Sequence, residues 1–215
     1  MESNSDDLKK FMAIALTGGT IISFAPILYI VSESNALTGA FFRMFYALPF
    51  LGLYIWYRGS EDPRDLNTRL IALGAGIIFS LDFASYHSAV NWIGTGIGTL
   101  IGNSQVLIVT LMSWWLFGER PNRYIIFSLP IVMIGLLLVS GIWDEDPYGD
   151  YPIRGVIAGI LTAIFYSGFL IVYRFANKDL APAANLQFDS TAGCAFGLLV
   201  LGLLPLQSLY VEPID

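Results

Sequence analysis

The chain has 215 residues, of which 55% are hydrophobic and only 13% charged, with a mean hydropathy of +0.65. A soluble globular domain carries about 25% charged residues, so this composition excludes an ordinary soluble protein. One cysteine and one histidine exclude an intrachain disulfide and metal motifs that need two of either residue, and the formal charge of −6 includes no basic patch for nucleic acid. We therefore expect no metal, no cofactor and no nucleic-acid partner.

Seven apolar stretches, separated by short polar loops, run through the chain. They cover residues 11–31, 36–57, 70–90, 95–117, 124–142, 155–173 and 188–210. About 20 helical residues span the ~30 Å hydrocarbon core of a bilayer, and a helix satisfies its own backbone polar groups there. The sequence therefore predicts an all-α, polytopic helical membrane protein with about seven transmembrane helices.

The positive charges predict how these helices are oriented. Most Lys and Arg residues precede the first helix or lie in the loops after the second, fourth and sixth helices. Arg154 lies on the opposite side and Arg43 lies inside a helix. The positive-inside rule then places the N-terminus in the cytoplasm. We expect a multi-pass protein of a bacterial cytoplasmic (inner) membrane.

A faint internal repeat divides the predicted helices into two groups. A shift of about 144 positions brings residues 23–29 onto 167–173, with Ile27 over Ile171. We predict a first five-helix repeat at 1–143, an acidic extracytoplasmic linker at 144–153, and a partial second repeat of two helices at 154–215. Because five is odd, the second copy enters the membrane from the other side, as in the inverted repeats of secondary transporters.

Two segments resemble a known family. Residues 40–45, Ala-Phe-Phe-Arg-Met-Phe, are similar to the arginine-bearing second helix of the EamA-like branch of the drug/metabolite transporter superfamily. Residues 113–121, Ser-Trp-Trp-Leu-Phe-Gly-Glu-Arg-Pro, followed by Pro130 and Gly135, resemble its fourth and fifth helices. The resemblance runs from about Phe11 to about Leu204. The chain departs from the family at Gln105-Val106, where many members carry a proline.

The resemblance implies a permease with ten helices in two five-helix repeats, of which this chain would hold seven. Such a permease moves a small metabolite, amino acid or drug-like compound by alternating access, here as an exporter. A proton is the simplest coupling ion. The open alternative is a truncated, non-transporting scaffold or subunit, completed by a homo-oligomer or a partner chain. We do not expect an enzyme, because the sequence offers no convincing nucleophile with its base, paired aspartates or metal cluster.

Ionisable and polar side chains inside the predicted helices are the candidate substrate-binding or coupling residues, since burying them in a bilayer is expensive. These candidates are Arg43, Asp82, Tyr86, His87, Asn103, Gln105, Tyr29 and Tyr166. Arg43, Asp82 and Asn103 share a depth, so we expect an Arg43–Asp82 ion pair. The pair would either clamp two helices or release Asp82 for proton coupling or amine binding during transport.

Two further features concern structure. Glu119 is expected to order the turn after the fourth helix. Gly94, Gly98 and Gly102 repeat every four residues, which predicts a smooth helix face for close packing or for sliding.

Overall fold

The computed structural model describes residues 2–23, 36–59, 61–139, 151–177 and 182–203. Over these ranges the chain is helical, with no strand, which confirms the all-α prediction. The helices are α1 (Glu2–Ser23), α2 (Ala36–Arg58), α3 (Leu66–Asn103), α4 (Gln105–Phe117), α5 (Arg123–Val139), α6 (Pro152–Ala176) and α7 (Ala183–Leu203). The chain forms two compact units, Met1–Gly39 and Ala40–Asp215, and α1 belongs to the first.

Four described segments are long and apolar enough to cross a membrane. They are Leu37–Arg58, Leu66–Phe117, Pro152–Ala176 and Ala183–Leu203. Leu66–Phe117 includes two of the predicted stretches, whereas Phe11–Ile21 and Arg123–Gly135 are shorter apolar helices. The last helix begins five residues before the predicted start at 188, because Asn185 and Asp189 lower the hydropathy of its first turns without ending the helix.

The chain reverses direction within α3, at Gly94. Its φ of 78° and ψ of 161° fall in a region open essentially only to glycine. The Tyr86 and Thr99 hydroxyls lie 3.0 Å apart, although 13 residues of straight helix would separate them by about 20 Å. We call residues 66–93 the first arm and residues 95–103 the second arm of α3. After a turn at Ser104, α4 continues to Phe117.

The ends of α3, α4, α6 and α7 meet at two ends of the larger unit. At one end, the Tyr151 amide donates to the Trp92 carbonyl across 3.4 Å, so α6 begins beside the turn at Gly94. At the other, ion pairs join the loop before α3 to the start of α7, and the segment after α4 to the end of α6. We call these the Gly94 end and the Arg64 end of the bundle.

Glycines allow α3 and α7 to pack with their backbones in contact. A Cβ added to Gly76 would overlap the Ser190 carbonyl oxygen, and one added to Gly193 would overlap the Leu73 carbonyl oxygen. Each helix therefore places a glycine directly against the backbone of the other helix. Small residues support close approach of this kind in lipid, where burying apolar side chains gives little driving force.

The same kind of packing joins α3 to α6. A Cβ on Gly155 would overlap the Ile93 side chain, and a Cβ on Gly159 would lie 2.8 Å from Ile101 Cγ2. Ile93 is almost fully buried. Both arms of α3 are therefore held against α6 by isoleucine side chains placed over glycines.

Gly76→Ala should destabilise the protein, because the new methyl group meets backbone atoms that cannot move aside. Overpacking of this kind costs about 1–3 kcal/mol. Gly74→Ala is the matched control, since nothing lies within 4 Å of its added Cβ, and alanine favours a helix by roughly 0.5–1 kcal/mol over glycine. Thermal unfolding in detergent should show a lower Tm for G76A and an equal or higher Tm for G74A. Equal effects in the two variants would contradict the close packing.

Candidate functional site

Asp82 lies in the middle of the first arm of α3 and is 7% exposed. Its Oδ1 has no hydrogen-bond partner among the residues that the structure describes. The hydroxyl of Thr162 on α6 is also buried and has no described partner. Buried polar atoms without partners are uncommon in folded proteins. These two atoms therefore mark the interior between α3 and α6 as a candidate binding region.

Three of the predicted residues line the reversal within α3. The Tyr86 hydroxyl pairs with that of Thr99 at 3.0 Å, and the Asn103 side chain donates to the Thr99 carbonyl at 2.8 Å. His87 is half-buried, and its ring stands edge-on to that of Tyr86, with 5.6 Å between the centroids. The Tyr86–Thr99 pair thus joins the two arms, whereas the Asn103 amide bonds within the second arm.

Tyr166 approaches the same region from α6. Its ring packs edge-on against Phe79, one turn before Asp82, with 5.9 Å between the centroids. The structure therefore brings Asp82, Tyr86 and Tyr166 to one part of the α3–α6 interface. We call these three residues, with Thr162, the Asp82 cluster.

The expected Arg43–Asp82 ion pair is absent from the described structure, so that prediction is wrong for this conformation. Arg43 is exposed on α2, whereas Asp82 is buried in α3, and the ion pairs of the described residues join other partners. Arg43 and Asp82 have the same predicted depth in the membrane, but their side chains do not meet because α3 packs mainly on α6 and α7.

The structure also locates Gln105 among the remaining candidates. Gln105 starts α4, and its backbone carbonyl accepts from the Ser167 hydroxyl at 3.4 Å. Tyr29 lies outside the described residues.

The glycine repeat is used in two different ways. Gly94 is the turn residue rather than part of the smooth face. Gly98 packs on the backbone of Ala89 and Val90 in the first arm, where an added Cβ would lie 3.2 Å from the Val90 nitrogen. An added Cβ at Gly102 would lie 3.1 Å from Thr162 Cγ2. The regular spacing did not reveal that the repeat begins at a chain reversal.

A second polar site, which the sequence did not predict, lies at the Arg64 end. Arg64 has a fully buried side chain whose Nη2 lies 2.7 Å from Asp62 and 2.8 Å from Asp189, the latter on α7. Arg69 also reaches Asp189, at 3.3 and 3.4 Å. We call these four residues the ionic network. The network connects the loop before α3, the start of α3 and the start of α7.

Within the ionic network, Asp62 and Arg64 stabilise each other's charged forms. Hydrogen bonds from Arg64 outweigh the effect of burial and lower the pKa of Asp62 from 3.8 to about 2. The hydrogen bond with Asp62 raises the pKa of Arg64 in turn. Arginines in this loop are typical of the positive-inside pattern, which explains why the sequence alone suggested only orientation. The signal that could have revealed the network is Asp189, an acidic residue placed at the start of an apolar stretch.

Glu119 forms a second connection at the same end. Both of its carboxylate oxygens accept from the Arg174 guanidinium, at 2.5 and 2.6 Å. The Arg174 guanidinium also lies over the Phe117 ring, 4.1 Å from its centroid. This bidentate geometry is the strong form of an ion pair. Glu119 therefore joins the segment after α4 to the end of α6.

A cavity of about 220 Å³ lies beside the ionic network. Its walls come from α2, the loop before α3, the start of α3 and the first turns of α7. The lining residues are Gly52, Ile55, Asp62, Arg69, Asn185, Phe188 and Asp189.

The long apolar helices, with polar groups held inside the bundle, place the chain in the class of polytopic helical membrane proteins. Within this class, residues 9–141 match the EamA-like transporter family. The match covers more than half of the chain, which therefore belongs to this family. The prediction of an EamA-like member of the drug/metabolite transporter superfamily is confirmed, and the family points to a transporter rather than an enzyme.

Two curated relatives are similar over most of the chain. An uncharacterised transporter of Synechocystis sp. is 22% identical over 151 residues, which are 65% of this chain and 45% of the relative. The pseudopaline exporter CntI of Pseudomonas aeruginosa is 24% identical over 173 residues, which are 79% of this chain and 58% of the relative. The chain thus spans about half the length of the curated relatives it matches. No solved structure gives a significant match.

Asp189→Asn should destabilise the protein, because it leaves Arg64 buried with Asp62 as its one carboxylate partner in the network. Loss of one partner of a buried polar group costs about 1–3 kcal/mol. Glu61→Gln is the matched control, since it removes a carboxylate from an exposed residue of the same loop region. Thermal unfolding in detergent should give a clearly lower Tm for D189N alone. A Tm unchanged from wild type would show that the ionic network does not stabilise the fold.

The ionic network should persist in acid. Since the pKa of Asp62 is lowered from 3.8 to about 2, its stabilising effect is fully present above pH 3.8 and is lost as the pH falls through about 2. The Tm difference between wild type and Asp62→Asn should therefore be constant from pH 7 to pH 4 and shrink below that. Intrinsic tryptophan fluorescence can follow both transitions. A difference that already shrinks between pH 7 and pH 5 would contradict the strong Asp62–Arg64 pair.

Proposed function

We propose that this chain forms the transport core of a drug/metabolite-type permease that exports a small metabolite, amino acid or drug-like compound by alternating access. The observation that carries the proposal is the Asp82 cluster. One buried carboxylate oxygen and one buried hydroxyl of this cluster lack described partners, in a chain whose relatives include a named exporter. A group that stability alone required would be paired, because an unpaired polar group in an apolar interior is costly.

Asp82 is the proposed coupling residue. A carboxylate held in the membrane interior without a described ion-pair partner can accept a proton, which removes its charge, or can bind a positively charged substrate group. Tyr86 of α3 and Tyr166 of α6 contribute hydroxyl groups to the same cluster. Arg43, which the described conformation leaves exposed on α2, is a candidate partner for Asp82 in another conformation of the transport cycle.

The distribution of ion pairs supports alternating access. Among the described residues, the ion pairs that connect 1–143 with 154–215 lie at the Arg64 end, through Asp189 and through Glu119. By the positive-inside prediction this is the cytoplasmic end, with the N-terminus in the cytoplasm. We propose that these pairs hold the cytoplasmic side closed, and that they break when the permease opens inward. The closely packed glycines of α3 and α7 would act as the contact about which the two halves turn.

The proposed organisation follows the predicted repeat. Residues 1–143 form a first EamA-like repeat and 154–215 a partial second one, in which α6 and α7 pack against α3. The predicted linker at 144–153 lies largely outside the described residues. A second copy of this chain or a partner chain is the proposed macromolecular partner.

Asp82→Asn should abolish export without unfolding the protein, because asparagine keeps the size of the side chain but cannot carry a proton or a charge. Asp65→Asn is the matched control. It makes the same chemical change at the exposed N-cap of α3, where Asn caps as well as Asp. Metabolite profiling of the medium should compare cells producing wild type, D82N, D65N or no protein, with folding checked by Tm.

The expected result is that wild type and D65N raise the same extracellular compounds, while D82N matches cells without the protein. An export rate that rises with the outside proton concentration in wild type and D65N, but not in D82N, would support proton coupling. If wild type itself matches cells without the protein, the chain does not export on its own, and the scaffold or subunit alternative is favoured.

A further inference from the structure

The cavity beside the ionic network has a size and a lining that favour binding of a small polar ligand. At about 220 Å³, it has room for about seven water molecules at roughly 30 Å³ each. A small polar group of seven or eight non-hydrogen atoms occupies a similar volume. The cavity is lined by charged and polar side chains on one side and by Gly52, Ile55 and Phe188 on the other.

The formal charge of the ionic network is zero, since two aspartates balance two arginines. A lone cation or a lone anion in the cavity would leave one charge uncompensated, which is unfavourable near a membrane. A ligand with one positive and one negative group keeps the balance. The charge pattern therefore favours a zwitterion over either simple ion.

The two arginines are held differently. Arg64 is fully buried and pairs at 2.7–2.8 Å, whereas Arg69 lines the cavity, is 47% exposed in its side chain, and reaches Asp189 only at 3.3–3.4 Å. Arg69 is thus the member that can exchange partners. An anionic group of the ligand can bind Arg69 in place of Asp189. A cationic group of the ligand can bind Asp189 in place of Arg69, while Arg64 keeps its contacts.

The buried side chain of Asn185 also points to a ligand in the cavity, independently of the charges. It is 7% exposed and lines the cavity, and its Oδ1 has no hydrogen-bond partner among the described residues. A buried acceptor without a donor is unfavourable, because it has lost its hydrogen bonds to water. An N–H donor in the cavity would satisfy Asn185 and lie beside Asp62 and Asp189. The cationic part of the ligand should therefore carry N–H groups.

We propose that this cavity binds a primary-ammonium zwitterion, with its anionic group on Arg69 and its ammonium group on Asp189 and the Asn185 side-chain oxygen. Trp56 and Tyr57 are strongly exposed at the adjoining end of α2, which is typical of the membrane–water interface. Two kinds of primary-ammonium zwitterion reach the membrane–water interface. One is the headgroup of phosphatidylethanolamine, and the other is a free small zwitterion from the aqueous phase.

The test uses the full chain in nanodiscs that contain equal amounts of phosphatidylethanolamine, phosphatidylcholine and phosphatidylglycerol, followed by native mass spectrometry of the retained lipid. Phosphatidylcholine has the same charges but no N–H donor, and phosphatidylglycerol has only the anion. Arg69→Gln removes the exchangeable partner. Arg58→Gln is the matched control, because Arg58 is exposed at the same end and bonds only to Tyr54 among its described contacts.

If the lipid is the source, phosphatidylethanolamine should be retained over the other two lipids, and R69Q but not R58Q should reduce this retention about tenfold, because R69Q removes a charged hydrogen-bond donor to the anionic group. If a free zwitterion is the source, phosphoethanolamine or alanine should raise the Tm of lipid-free protein in detergent, again with loss in R69Q alone. Equal retention of the three lipids together with no Tm shift from either compound would overturn the proposal. Effects of the same size in R69Q and R58Q would overturn it as well.

Discussion

The contact between α3 and its two neighbours α6 and α7 is the interaction on which the rest of the structure depends. Lipid tails are as apolar as leucine side chains, so helices in a bilayer gain little by hiding such side chains from their surroundings. Close backbone packing is therefore the main source of association. Gly76 of α3 and Gly193 of α7 supply it between these two helices, and Gly155 and Gly159 of α6 make room for isoleucine side chains of α3. The buried polar residues occupy their positions because these glycines fix the distance between the helices.

The two polar sites differ in how their charged groups are paired. At the Arg64 end, the buried guanidinium meets two carboxylates through its Nη2, although its Nη1 has no described partner, and this arrangement is costly to open. In the Asp82 cluster, a carboxylate oxygen and a hydroxyl are left without described partners. The first pattern suits a connection that holds two parts of the chain together. The second suits a place that receives a proton or a ligand and releases it again.

Much of the fold could be predicted from the sequence, because hydropathy and length act within a single stretch of chain. The all-α class, the bounds of α2 and α6 to within a few residues, and the family were predicted in this way. Side-chain partners could not be, since they depend on which helices become neighbours. Arg43 and Asp82 share a depth but lie on helices that do not bring them together. Asp189 was overlooked because its partners, Arg64 and Arg69, are some 120 residues away along the chain.

The reversal at Gly94 has a consequence for how the chain enters the membrane. A connection of one residue leaves no room for a hydrated loop, so the first and second arms of α3 cannot cross the bilayer as separate, independently inserted segments. They form a helical hairpin whose hydroxyl pair, Tyr86 and Thr99, meets only when both arms are present. Insertion of this hairpin as a unit would carry the Tyr86 and Thr99 hydroxyls into the bilayer already paired, which spares both groups direct exposure to lipid.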